Sequence, residues 1–136
     1  MLCTAMTKRR LTASEHNEQT AVVQWWDMVC GTYQLPPCAL FAIPNANKLL
    51  SQAKNRFSLL KHMQAEGVRS GIPDLFLAIP RLDQGGLFIE MKTKTGQTGD
   101  SQVDVIGYLT PMYQVKVCYS ADEAISEIKR YLGTIR

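Results

Sequence analysis

Residues 71–92 read GIPDLFLAIPRLDQGGLFIEMK, two dense apolar runs at 72–80 and 87–91 separated by Arg81-Leu82-Asp83-Gln84-Gly85-Gly86. Short runs rich in β-forming residues around a Gly-containing turn predict a hairpin buried on both faces. The sequence places three charges in that apolar setting. Asp74 is the sole ionisable group of 71–77, while Glu90 and Lys92 stand two apart and therefore share a strand face. An uncompensated buried carboxylate is costly, so strands do not accumulate such groups without a role.

Hairpin geometry connects the three. With the turn centred between Leu82 and Asp83, paired positions sum to about 164–166. The lower sum sets Asp74 opposite Glu90; the higher sets it opposite Lys92, with Glu90 on the diagonal. In either register the side chains share a face, with Cβ atoms about 4.5–8 Å apart. Two carboxylates that close repel unless a cation sits between them. Mg²⁺, with oxygen ligands at about 2.0–2.1 Å, fits that gap and usually keeps several waters. A water acidified by the metal beside the Lys92 ammonium is a nucleophile suited to a phosphodiester. The plainer alternative is an Asp74–Lys92 salt bridge with Glu90 at a strand edge.

Around this hairpin the chain is an ordinary globular one. Its 136 residues, 46% hydrophobic and 20% charged, suit one domain and exclude disordered or fibrous classes. Fifteen Lys+Arg against 12 Asp+Glu leave +3, which permits an anionic partner without demanding one. Residues 1–13 are polar and basic, are expected to be flexible, and lack the apolar core of a secretory signal. No run has the length of a membrane span. Cys3, Cys30, Cys38 and Cys118 form no CxxC pair or zinc-like spacing, so reduced, mostly core thiols in a cytoplasmic protein are expected.

Periodicity supplies the remaining elements. Ser14 reads as an N-cap of a helix over 15–30 with Val22, Val23, Trp26 and Val29 inward. A buried strand follows at 38–43. A helix over 48–66 has Leu49, Ala53, Phe57, Leu60 and Met63 on one face and stops at Gly67. Beyond the hairpin, a helix over 98–111 carries Val103, Ile106 and Leu109, and a strand covers 113–119. Ser120 caps a last helix to about residue 132, with Ala124, Ile125, Ile128 and Tyr131 inward. The order α-β-α-β-β-α-β-α predicts one α/β domain over 14–136.

The basic excess is local. Between 48 and 69, Lys48, Lys54, Arg56, Lys61 and Arg69 face the single acid Glu66, as either a solvated helix face or a phosphate-tracking surface. Lys94, in the polar loop just past the second charged strand, is a further candidate phosphate contact. Trp25-Trp26 is expected to pack, one ring in the core and one half-exposed, rather than stack on bases. His16 lies near the acids of the first helix, and His62 is expected at the surface.

Pro73-Asp74 followed by Glu90-Met91-Lys92 resembles the PD-(D/E)xK nuclease superfamily. More narrowly, the chain resembles a VRR-NUC (virus-type replication-repair nuclease) domain of the short, stand-alone phage or prophage type. The likeness runs through Ser14–Gln19 at the start of the first helix, Phe41-Ala42-Ile43-Pro44-Asn45, residues 65–75, residues 86–92, and Gln102. It implies a restriction-endonuclease-like α/β core with a mixed central sheet flanked by helices, Mg²⁺ or Mn²⁺ dependence, and DNA cleavage. By resemblance, Asp74 and Glu90 bind metal, and Lys92 orients the water or stabilises the transition state. Glu18, with Glu15 as the alternative, is the family's additional acid, and Gln102 its glutamine beside the site. Gly99 stands where the family often has a Ser, which weakens a helix cap. The resemblance further implies a homodimer acting on Holliday-junction-like or other branched DNA.

The expected function is therefore a divalent-metal-dependent, structure-selective DNA endonuclease of a bacterial or phage-infected cell. The alternative is a non-catalytic nucleic-acid-binding or assembly domain that keeps the nuclease fold. Restriction-type sequence specificity is disfavoured, because no extra segment is present to read base edges.

Overall fold

The computed structural model describes residues 2–44, 50, 54–93 and 98–133, with side chains from residue 15 onward. The chain runs α1 (Leu2–Val29), short 3-10 turns at Cys30–Tyr33 and Pro37–Ala39, β1 (Leu40–Ala42), α2 (Arg56–Ala65), β2 (Leu75–Leu77), β3 (Leu87–Met91), α3 (Asp100–Leu109), β4 (Gln114–Cys118) and α4 (Ala121–Gly133). This is the predicted order among the described residues, with β2 shorter than the apolar run that contains it and α2 beginning at Arg56, after non-helical residues 54 and 55, instead of running unbroken over 48–66. The four strands form one sheet in the order β1-β2-β3-β4. β1–β2 and β2–β3 are antiparallel, and β3–β4 is parallel because α3 carries the chain back across the sheet.

The pleat sorts the strand residues onto two unlike faces. Leu40, Leu75, Leu77, Leu87, Ile89, Met91 and Cys118 are buried with Val22, Trp26 and Cys30 at the α1 end and Ala124, Ile128, Tyr131 and Leu132 of α4. This is the core, and each fully buried Leu, Ile or Met in it contributes about 1.5–3 kcal/mol. Trp26 lies at its centre. Its indole Nε1 donates to the Pro37 carbonyl (3.0 Å), and its ring stacks on Tyr33 with centroids 6.2 Å apart. Trp25 is half-buried beside it, as expected.

The other face carries Phe41, Phe76 and Phe88 in one row, with Asp74 and Glu90 in the next. Phe76 meets Phe88 at 4.3 Å between centroids, Phe41 at 5.7 Å and Tyr113 at 5.9 Å. The rings need bare backbone beneath them. A Cβ on Gly86 would lie 2.5 Å from the Phe76 ring and 2.8 Å from the Leu77 carbonyl oxygen. Predicted burial on both faces therefore holds fully for one. Phe41 remains 44% exposed, and α3 buries no residue completely.

Several other expectations are corrected. α1 is helical from Leu2, so Ser14 lies within it instead of capping it. The preceding stretch contains no Gly or Pro and has residues of good helix propensity. Phe57 and Val103, predicted to face inward, are exposed, because α2 and α3 lie at the margin of the core and turn only part of each face to it. Leu60 and Met63 do turn inward, whereas Leu49 and Ala53 fall outside the described residues. Cys38 is exposed at the surface, while Cys30 and Cys118 are buried. Ser120 behaves as predicted: its hydroxyl accepts from the Glu123 N–H.

Gly71 couples the hairpin to α3. It adopts φ +84°, and a Cβ there would lie 2.6 Å from the Ser101 carbonyl oxygen. Gly71→Ala is expected to destabilise the fold by about 1–3 kcal/mol, from left-handed backbone strain and displacement of the first turn of α3. A urea midpoint lowered at unchanged slope checks this.

Candidate active site

The observed pairing Leu75↔Ile89, Phe76↔Phe88 and Leu77↔Leu87 selects the lower of the two hairpin registers. One step further along, Asp74 stands opposite Glu90. Both are buried, at 4% and 3% exposure. Asp74 closes the ladder with its side chain, Oδ2 accepting from the Met91 N–H at 2.9 Å. Its carbonyl accepts from the Ile43 N–H at 2.8 Å, which ties the same residue to the end of β1.

Glu90 has two unlike carboxylate oxygens. Oε1 accepts from Gln102 Nε2 at 2.6 Å and lies 3.3 Å from the Lys92 ammonium. Oε2 is buried without a hydrogen-bond partner. Burial, and then the charge of Asp74, hold the Glu90 carboxyl above the usual range, while Lys92 and Gln102 pull it back. Lys92 is anchored through its backbone, the N–H donating to the Cys118 carbonyl at 2.9 Å. The ammonium thus sits on a buried, mid-sheet glutamate, which replaces the alternative that put Glu90 at a strand edge.

Gln102 belongs to the first turn of α3. Its Oε1 accepts from the Gly99 N–H at 3.2 Å, so its amide nitrogen is the end that faces Glu90. Gly99 supplies no side-chain cap, and Gln102 compensates by reaching back to it. One amide thus closes the start of α3 and braces the glutamate.

Glu18 is placed elsewhere. Its carboxylate accepts from the N–H of Ala121, at the start of α4. That position is favourable in itself, because a helix N-terminus offers unpaired N–H groups and a positive dipole end. Glu15 is half-buried one turn earlier on α1. Among the described residues no three His, Cys, Asp or Glu side chains converge as a metal group. His16 is exposed and lines a groove with Gln19, Thr20 and Val23, to which neither Asp74 nor Glu90 contributes. Lys54, Arg56, Lys61, Arg69 and His62 are all exposed; Lys48, Lys94 and Asn45 lie outside the described residues.

The pair nevertheless suits a hard divalent cation. Two carboxylates face each other, and one buried oxygen is left unsatisfied, a condition that is costly in the absence of an electropositive partner. All the candidate ligand atoms are oxygen, the preference of Mg²⁺ and Mn²⁺. Sequence reasoning missed the Met91 N–H on Asp74 and the packing of Gly71 on α3. Every residue type but proline carries that N–H, so no sequence signal marks the first; a glycine between helix and strand signals a turn but not what packs against it.

No helix among the described residues is long and apolar enough to cross a membrane. No curated protein matches the sequence. A solved structure described as a VRR_NUC domain protein superposes with a TM-score of 0.68 at 22% identity, over 89% of this chain and 89% of that one, and so shares its fold. The sequence profile of the VRR-NUC domain matches residues 13–122, most of the chain. With its four-stranded mixed sheet, flanking helices and carboxylate pair, the chain belongs to the VRR-NUC domain family, a nuclease-type domain.

Proposed function

We propose that the chain is a divalent-metal-dependent DNA endonuclease that hydrolyses phosphodiesters at the Asp74–Glu90 pair. The observation that carries this reading is the buried Glu90 carboxylate, with one oxygen held by Gln102 and Lys92 and the other unsatisfied beside Asp74. Asp74 and Glu90 would hold Mg²⁺ or Mn²⁺, which, when bound, polarises the scissile phosphate and acidifies a water. The Met91 N–H orients Asp74, and Gln102 holds Glu90 in a single rotamer. Lys92, whose ammonium reaches Glu90, is positioned to steady developing negative charge on the phosphate. Lys54, Arg56, Lys61 and Arg69, with Lys48 and Lys94, are the proposed backbone contacts.

Selectivity for Holliday-junction-like or other branched DNA, and action as a homodimer, follow from the resemblance. The free, buried thiols of Cys30 and Cys118 suit the reducing cytoplasm of a bacterial or phage-infected cell. One observation favours the non-catalytic reading: Glu18 is engaged with α4, and no group of three His, Cys, Asp or Glu forms among the described residues.

Cleavage separates the two readings. Asp74→Asn, Glu90→Gln and Lys92→Met are each expected to lower cleavage of a labelled four-way junction in Mg²⁺ by at least about 100-fold, leaving binding within about twofold. Wild-type protein that binds but never cuts in Mg²⁺ or Mn²⁺ would establish the non-catalytic domain. A cleavage panel of linear, flap and four-way DNA, with sedimentation of the free protein, tests junction selectivity and the dimer.

Stability gives a second check. Because burial raises the Glu90 pKa, metal-free protein holds that proton more tightly when folded than when unfolded, and it loses stability as pH rises above the ordinary glutamate value of 4.5. In chelator, Glu90→Gln should melt above wild type at neutral pH. That advantage should vanish at acid pH, and excess Mg²⁺ should stabilise wild type alone. Equal melting curves across pH would contradict it.

A further inference from the structure

We propose that Phe57 is a stacking anchor for an unpaired nucleobase, with the cations around it holding the adjoining phosphates. The inference rests on the nucleic-acid reading above and adds a structural feature of the substrate to it.

The periodicity of 48–66 puts Phe57 with the core-facing residues, yet it is 85% exposed in the second position of α2. The helix turns a different strip inward, with Met63 buried and Leu60 half-buried. Phe57 and Lys61 lie one turn apart on the solvent side, where residues four apart are neighbours. Lys54 and Arg56 are its neighbours in sequence at the start of the helix, and both are exposed. His62 is exposed as well.

This combination selects among partners. An apolar protein surface would have to desolvate three cations to reach one ring. A lipid interface would receive one aromatic side chain and little further apolar area from α2. A nucleotide satisfies both requirements, since any base offers a π-face and its phosphates offer anionic oxygens. Bases within a continuous duplex are already stacked, so a protruding phenyl ring finds its partner only where a base is unpaired: at a gap, a flap or a branch point. Arg56, and Lys61 one turn on, suit contacts to the backbone on either side of that base. The chain continues from α2 through Gly67 and Gly71 directly to Asp74, so the surface and the carboxylate pair lie on one continuous segment.

The test uses full-length protein in chelator, so that nothing is cut, and two DNAs of equal length: a duplex closed by hairpins, and the same duplex with a three-nucleotide gap carrying 2-aminopurine. Phe57→Ala should weaken gapped-DNA binding by about 5- to 150-fold, the stacking contribution of one base, and leave the closed duplex within about twofold. Phe57→Tyr should restore the affinity and the change in 2-aminopurine emission. Lys61→Ala should weaken both DNAs alike and reduce the salt dependence by about one phosphate contact. Phe57→Ala that spares gapped-DNA binding, or that weakens both DNAs equally while converting a dimer to a monomer, would overturn the stacking anchor but leave the nuclease reading standing. Wild-type protein that holds neither DNA would overturn both.

Discussion

Asp74 and Glu90 face each other across a two-stranded ladder, both almost fully out of water. Like charges at that separation are tolerated only where each is met by donors or a cation, and much of the surrounding chain supplies them. β3 gives the Met91 N–H to Asp74, α3 gives the Gln102 amide to Glu90, and the end of β3 gives the Lys92 ammonium. The register of the hairpin determines whether the two acids meet at all. The aromatic row, the two adjacent glycines of the turn and the left-handed Gly71 can all be understood as means of holding that register and docking α3 against it.

The central hairpin was legible because its charges contradict its surroundings. A polar residue inside an apolar run is a strong signal, and a period of two assigns Glu90 and Lys92 to one face without ambiguity. The choice between two registers was not legible, since a turn can add or drop a residue at little cost; Arg81↔Gln84 pairing closes the turn in the structure. Periodicity also shows which residues of a helix share a face, but not whether a partner lies opposite. That is why Phe57 and Val103 face solvent against expectation, while α4, far more strongly amphipathic and lying over the sheet, buries the face its periodicity predicts.

Glu18 illustrates a different limit. An acid on the first helix can approach a metal or cap another helix, and both uses require only a carboxylate. Its partner, Ala121, is 103 residues away in sequence and presents nothing but a backbone N–H. The resulting clamp joins α1 to α4 across the end of β4, so the acid contributes to the packing of the two helices that cover the core.

The rings beside the carboxylates carry a consequence for approach. Phe88 is two residues before Glu90 on the same face, and Phe76 two after Asp74, so one flank of the pair is hydrocarbon. Gln102 and Lys92 stand close about Glu90 itself. The aromatic flank excludes water and is low in dielectric, so the field of the two acids is focused toward the side the rings leave uncovered. In the proposed reaction a cation would enter along that path, and the phosphate it polarises would approach from the same side. The phenylalanines thus act as an insulating wall along one flank of the pair.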